Sequence, residues 1–149
     1  MKKEMQFMKE RIKDKIKQIE EFIGTLSEIK PLTFEDYMSD LKTKAACERY
    51  AQKIIEAIID LTYLVIKERK WRLPEGDEQA FDILIKNKIL SLELGKKLQD
   101  AKGMRNFLIH QYGEVDDEII FNAINEELEK DIAEFLNKIE ENLKKEELK

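Results

Sequence analysis

The residues best suited to chemistry in this chain fall in one octapeptide, Arg105-Asn106-Phe107-Leu108-Ile109-His110-Gln111-Tyr112. It contains the only histidine of the 149 residues. An imidazole exchanges protons near neutral pH, and a guanidinium holds phosphate oxygens through a planar fork of N–H donors. Together they suit cleavage of a phosphodiester. Metal-free RNA cleavage needs a base for the 2′-hydroxyl, a proton donor for the leaving 5′-oxygen, and positive charge beside the phosphorane. One imidazole cannot readily act as base and acid in a single event. The proton count therefore favours two copies of His110, each accompanied by its own Arg105.

Helical spacing bears on the same question. Each residue of an α-helix turns about 100°, so Arg105 and His110 point about 140° apart. Arg105 and Tyr112 share a face, as do Asn106 and His110. Two arrangements would bring Arg105 and His110 together. The helix unwinds near His110, or the same motif from a second subunit completes a cleft across a two-fold axis. The structural alternative is a hydrogen-bonded histidine and a half-buried tyrosine that merely end a helix. Phosphate-loop, dinucleotide-binding and His-Glu-x-x-His signatures are absent. One cysteine, Cys47, and one histidine cannot form a zinc site without carboxylates or a second subunit, so neither a metal nor another cofactor is expected.

The elements that must position these residues are helical. Five Gly and 2 Pro in a Lys-, Glu-, Ile- and Leu-rich chain argue for an all-α domain. A first helix is predicted from about Glu4 to Ile29, with Ile12, Ile16, Ile19, Ile23 and Leu26 on one face. Pro31 interrupts it, and Thr33 caps a short turn near Phe34–Met38. A long second helix runs from Leu41 to Arg69. Its stretch Ala51–Ile66 is apolar on most sides, which places it centrally in a bundle or against a partner subunit. Its basic end, Lys67 to Arg72, suits the helix dipole better than a nucleic-acid patch. After the break at Leu73-Pro-Glu-Gly76, Asp77 is expected to cap a third helix to about Lys88, carrying Phe81, Leu84 and Ile85 inward. Ser91 caps a fourth, through Leu94, Leu98, Ala101 and Leu108. Gly103 weakens that helix for close packing or for a ligand's approach, and Gly113 ends it. Asp116 or Asp117 caps the last helix, from Glu118 to about Leu143. The expectation is one domain spanning 1–149, an antiparallel bundle of about five helices, with frayed ends at 1–8 and 144–149.

Composition sets the outer limits. Charged residues make up 40% of the chain yet sum to only −5, which disfavours a general nucleic-acid coat protein but allows a local phosphate cleft. A lone cysteine excludes an internal disulfide. The N-terminus lacks the apolar core of a signal peptide, and no uncharged stretch approaches membrane-spanning length. A cytoplasmic protein without membrane association is expected.

Arg105-Asn-Phe-Leu-Ile-His110-Gln-Tyr112 resembles the R-x4-H-x-Y motif of the HepT-like proteins, minimal members of the HEPN superfamily. The resemblance extends through Tyr37-Met-Ser-Asp, the run Glu48 to Asp60, Phe81-Asp-Ile-Leu, Ile89 to Gly95 and Val115-Asp116, and covers roughly Ile12 to Ile139. It implies a two-fold homodimer whose paired Arg and His residues line a shared cleft. It further implies a toxin of a toxin–antitoxin system, acting as a metal-independent ribonuclease on RNA. Its partner would be an MntA-like nucleotidyltransferase antitoxin that transfers AMP to the motif tyrosine. On that resemblance Arg105 holds the phosphate, His110 is the acid or base, Asn106 orients them, and Tyr112 is the modified residue. A different expectation from the same resemblance is a non-catalytic helical module that such a nucleotidyltransferase binds and modifies.

Overall fold

The computed structural model describes residues 2–110 and 116–147. Helix α1 (Lys2–Ile29) turns Ile12, Ile16, Ile19 and Leu26 into the core, through the four- and three-residue steps that keep one helical face in line. Past Pro31, Thr33 caps α2 (Phe34–Ser39) by accepting a hydrogen bond from the Asp36 amide at 3.1 Å. Asp40 likewise accepts from the Lys42 and Thr43 amides to open α3 (Leu41–Glu68). Helices α4 (Asp77–Lys86) and α5 (Leu92–His110) follow, and Ser91 caps α5 by accepting from the Leu94 amide. Asp116, rather than Asp117, caps α6 (Asp117–Asn122) through the Glu118 and Ile119 amides. A π-helical turn, Ala123–Glu127, then leads into α7 (Leu128–Glu147).

Two boundary expectations change. Gly76 holds the extended N-cap position of α4 and offers no side chain to cap it, while Asp77 is the first helical residue. The Asp77 carboxylate is engaged with other helices and does not cap its own. The last helix, expected as one regular run, is divided by the π turn. The apolar positions Phe121, Ile124, Leu128, Ile132, Phe135, Ile139 and Leu143 are nonetheless all buried.

Cross-helix contacts fix the directions. Lys15 of α1 pairs with Asp60 of α3, and Phe22 meets Tyr50 edge-on, so α1 and α3 run antiparallel. Gln99 of α5 donates to the Glu78 carbonyl and to the Asp82 carboxylate, which sets α4 and α5 antiparallel. At one end of the bundle Lys44 of α3 joins Asp117 of α6 at 3.1 Å, and Phe34 stacks on Phe121. At the other end Arg69 pairs with Glu146 at 3.3 Å and with the Asn142 side chain. Helix α3 forms the axis of the bundle. Its Ile54, Ile55, Ile58, Leu61 and Ile66 are fully buried within the single chain, against α1, α2, α4 and α5. The apolar circumference of α3 is therefore satisfied without a second subunit. Among the described residues no helix is long and apolar enough to cross a membrane.

Candidate active site

The octapeptide sits at the C-terminal end of α5, which is α-helical without interruption from Leu92 through His110. The backbone stays helical from Arg105 to His110, where α5 ends, and the residues that follow lie outside the described ones. On a regular helix positions five residues apart diverge by about 140°. His110 is the last residue of α5. Its side chain, and with it the expectations on Tyr112 and Gly113, lie outside the described residues. Asn106 lies half-buried one position beyond Arg105.

Among the described residues Arg105 is tied to a second helix. Its side chain is 17% exposed, and its Nη2 donates to Asp77 Oδ2 at 3.3 Å. The other carboxylate oxygen of Asp77 accepts from the Tyr63 hydroxyl at 3.1 Å. Three helices thus converge on one carboxylate: α3 through Tyr63, α4 through Asp77, α5 through Arg105. Burial raises the proton affinity of the Tyr63 hydroxyl, and the bond and charge of Asp77 raise it further, so Tyr63 stays a donor. Arg105 Nε is buried and finds no hydrogen-bond partner among the described residues. Asp77 therefore satisfies one corner of the guanidinium and leaves it short of its full complement of acceptors.

Sequence reading missed Tyr63 and misassigned Asp77. Tyr63 is hidden in the aliphatic run Leu61-Thr-Tyr-Leu64, where its polar tip was the available signal. Asp77 directly after Gly76 reads as a cap until the fold shows which helices pass nearby. Gly103 is not a packing glycine, because nothing stands within 4 Å of the place its Cβ would take. That role belongs to Gly95, whose Cβ would fall on the Ile85 side chain of α4.

Beside the motif the surface is apolar. Phe107 is 52% exposed, Ile109 41% and Ile119 63%. A groove of about 450 Å³ runs between α5 and α6, lined by Gly103, Met104, Phe107, Ile119 and Ile120 among others. From Ala101 to Ile109 no residue of α5 is fully buried, unlike Leu94 and Leu98 in its first half. Among the described residues no three His, Cys, Asp or Glu side chains gather as a metal-binding group.

Comparison with known proteins places this geometry in context. Residues 12–139 match the family described as Ribonuclease HepT-like. The chain is 29% identical over 114 residues to the tRNA nuclease HepT of Aphanizomenon flos-aquae, covering 76% of this chain and 78% of that one. It is 25% identical over 128 residues to the mRNA nuclease HepT of Shewanella oneidensis, covering 86% and 90% respectively. In fold it is similar to a tri-AMPylated Shewanella oneidensis HEPN toxin solved in complex with its MNT antitoxin. That likeness has a TM-score of 0.78 at 23% identity over 87% of this chain and 96% of the other. The cytosolic protein YutE of Bacillus subtilis, of unknown function, is similar with a TM-score of 0.77 at 21% identity over 93% and 92%.

Proposed function

We propose, on the premise that this chain belongs to the ribonuclease HepT-like family, that it is the toxin of a toxin–antitoxin pair and cuts RNA at a site built from Arg105 and His110 of two subunits. The observation that carries this reading is the family match, whose span of residues 12–139 includes the whole octapeptide. The helical course of α5 from Arg105 to His110 supports the two-subunit form of it, since positions five apart on a helix diverge by about 140°. The exposed apolar residues beside the motif, Phe107, Ile109 and Ile119, provide a surface that a second subunit would cover.

In the proposed reaction one His110 takes the proton of the ribose 2′-hydroxyl, and the 2′-oxygen attacks phosphorus. The P–O5′ bond breaks as the second His110 protonates the departing 5′-oxygen, leaving a 2′,3′-cyclic phosphate and a free 5′-hydroxyl. The Arg105 guanidiniums balance the added charge on the phosphorane, and no metal takes part. Asn106, one residue along from Arg105, orients the pair. The partner is an MntA-like nucleotidyltransferase antitoxin that transfers AMP to Tyr112. An AMP group there adds negative charge and bulk beside the cleft and so opposes RNA entry.

Purified protein should cleave RNA in excess chelator and leave cyclic-phosphate ends, and Arg105→Ala or His110→Ala should each abolish cleavage. Persistent cleavage by both variants would remove the reading. A second reading, a helical module modified by a nucleotidyltransferase but not itself a nuclease, draws support from the tri-AMPylated state of the similar Shewanella toxin. It requires an AMP adduct on Tyr112 after co-expression with the nucleotidyltransferase while RNA stays intact.

A further inference from the structure

The carboxylate that joins α3, α4 and α5 carries the next step, which rests on the nuclease reading of Arg105. We propose that Asp77 is a positioning residue for this site: it docks Nη2 of Arg105 while being held itself by Tyr63, so that the guanidinium is oriented before RNA arrives. Asp77 stands at the first position of α4, where the helix dipole favours an acid. A first-turn acid normally serves its own helix, but both oxygens of Asp77 are turned outward, to α3 and to α5. The N-cap position of α4 belongs to Gly76, which has no side chain to cap it. The Asp77 carboxylate makes instead a cross-helix contact 28 residues away in sequence.

The geometry suits orientation more than neutralisation. A carboxylate that saturated Arg105 would take it through two parallel N–H bonds, which would compete with a phosphate. Asp77 makes one bond, of 3.3 Å, and gives its second oxygen to Tyr63. Arg105 is thereby fixed at one corner with donors to spare. An arginine side chain free in solution samples many rotamers, and fixing it beforehand removes that ordering from the reaction. The Tyr63 bond removes the same freedom from Asp77, whose backbone is already held by α4. Gln99, bonded to Glu78 and Asp82, ties α5 to α4 one and a half turns earlier and keeps the frame of the contact in register.

The test compares wild type with Asp77→Ala and Asp77→Asn in two independent measurements. The first is the ¹⁵N–¹H resonance of the Arg105 Nε–H, assigned by its loss in Arg105→Ala. It should be resolved and slow to exchange in wild type, averaged in Asp77→Ala, and intermediate in Asp77→Asn, which keeps an oxygen acceptor. The second is cleavage of unfractionated tRNA and of an mRNA transcript. Asp77→Ala should lower kcat by about 10- to 100-fold with little change in KM, as for loss of orientation at a retained charge. Asp77→Asn should recover part of that loss, with circular dichroism showing both variants folded. An Arg105 signal unchanged in Asp77→Ala overturns the proposal whatever the activity. An altered signal with wild-type kcat also overturns it. If wild type cleaves neither RNA, the nuclease reading itself falls, and the proposed role falls with it.

Discussion

Glu68 is the acid whose side chain the fold buries completely among the described residues. One of its oxygens accepts from Arg69 Nε at 3.0 Å, and the other, Oε1, accepts no hydrogen bond among the described residues. Burial first, and then the nearby Glu146 charge, raise its proton affinity above the ordinary carboxylate range against the pull of Arg69. The folded chain therefore holds this proton more tightly than the unfolded one. Its contribution to stability is complete below the unfolded value of about 4.5 and is lost as pH rises through the folded value. Glu68→Gln keeps the shape without the titration. Wild type should lose thermal midpoint relative to this variant as pH climbs through that window, and parallel pH curves would refute the claim. The same contrast between visible and hidden residues governs the site. Arg105 and His110 stood out by their chemistry in an aliphatic, Lys/Glu-rich chain, and Asn106 and Tyr112 through the resemblance of the octapeptide to the HepT-like motif. The Asp77–Tyr63 pairing did not, because it joins residues from two helices and depends on how the chain folds back.

The helices themselves were legible to within a residue or two wherever a short polar side chain precedes an apolar period. Thr33, Ser91 and Asp116 each accept from the amides their spacing predicts. Glycine was harder to read, because the letter is the same whether the missing Cβ makes room for a neighbour or faces open space. Gly95 and Gly103 lie on the same helix and separate the two cases. Alanine at Gly103 meets nothing and should stabilise the fold by about 0.5–1 kcal/mol through helix propensity. Alanine at Gly95 collides with Ile85, forcing α4 and α5 apart or Ile85 off its rotamer, and should destabilise by about 1–3 kcal/mol. Urea unfolding of the two variants should give opposite signs, and a shared sign would mean that helix contact does not decide the matter.

At the scale of the whole molecule, a net charge of −5 gives RNA no general attraction, so the proposed cleavage would rely on local cations such as Arg105. The apolar sequence of α3 allowed either a central place in the bundle or a subunit interface, and the chain buries it centrally by itself. Exposed apolar residues are found elsewhere, among them Phe7, Leu32 and Leu41 as well as Phe107 and Ile109 at the end of α5 and Ile119 in α6. Sequence periodicity records that a face is apolar and cannot say whether the same chain covers it. If two copies of His110 share one cleft, a dimer of wild type and His110→Ala, isolated through two different tags, should lose nearly all cleavage. Two self-contained sites would leave half, and that result would dismiss the shared cleft. The π turn at Ala123–Glu127 carries a separate implication. By closing its bonds over five residues rather than four, it sets the angular phase between Phe121, which meets Phe34 and Tyr37, and the buried row from Leu128 onward. Loss of a single residue there would turn everything on one side by about 100° relative to the other. Along this stretch the chain can exchange its letters more freely than it can change their number.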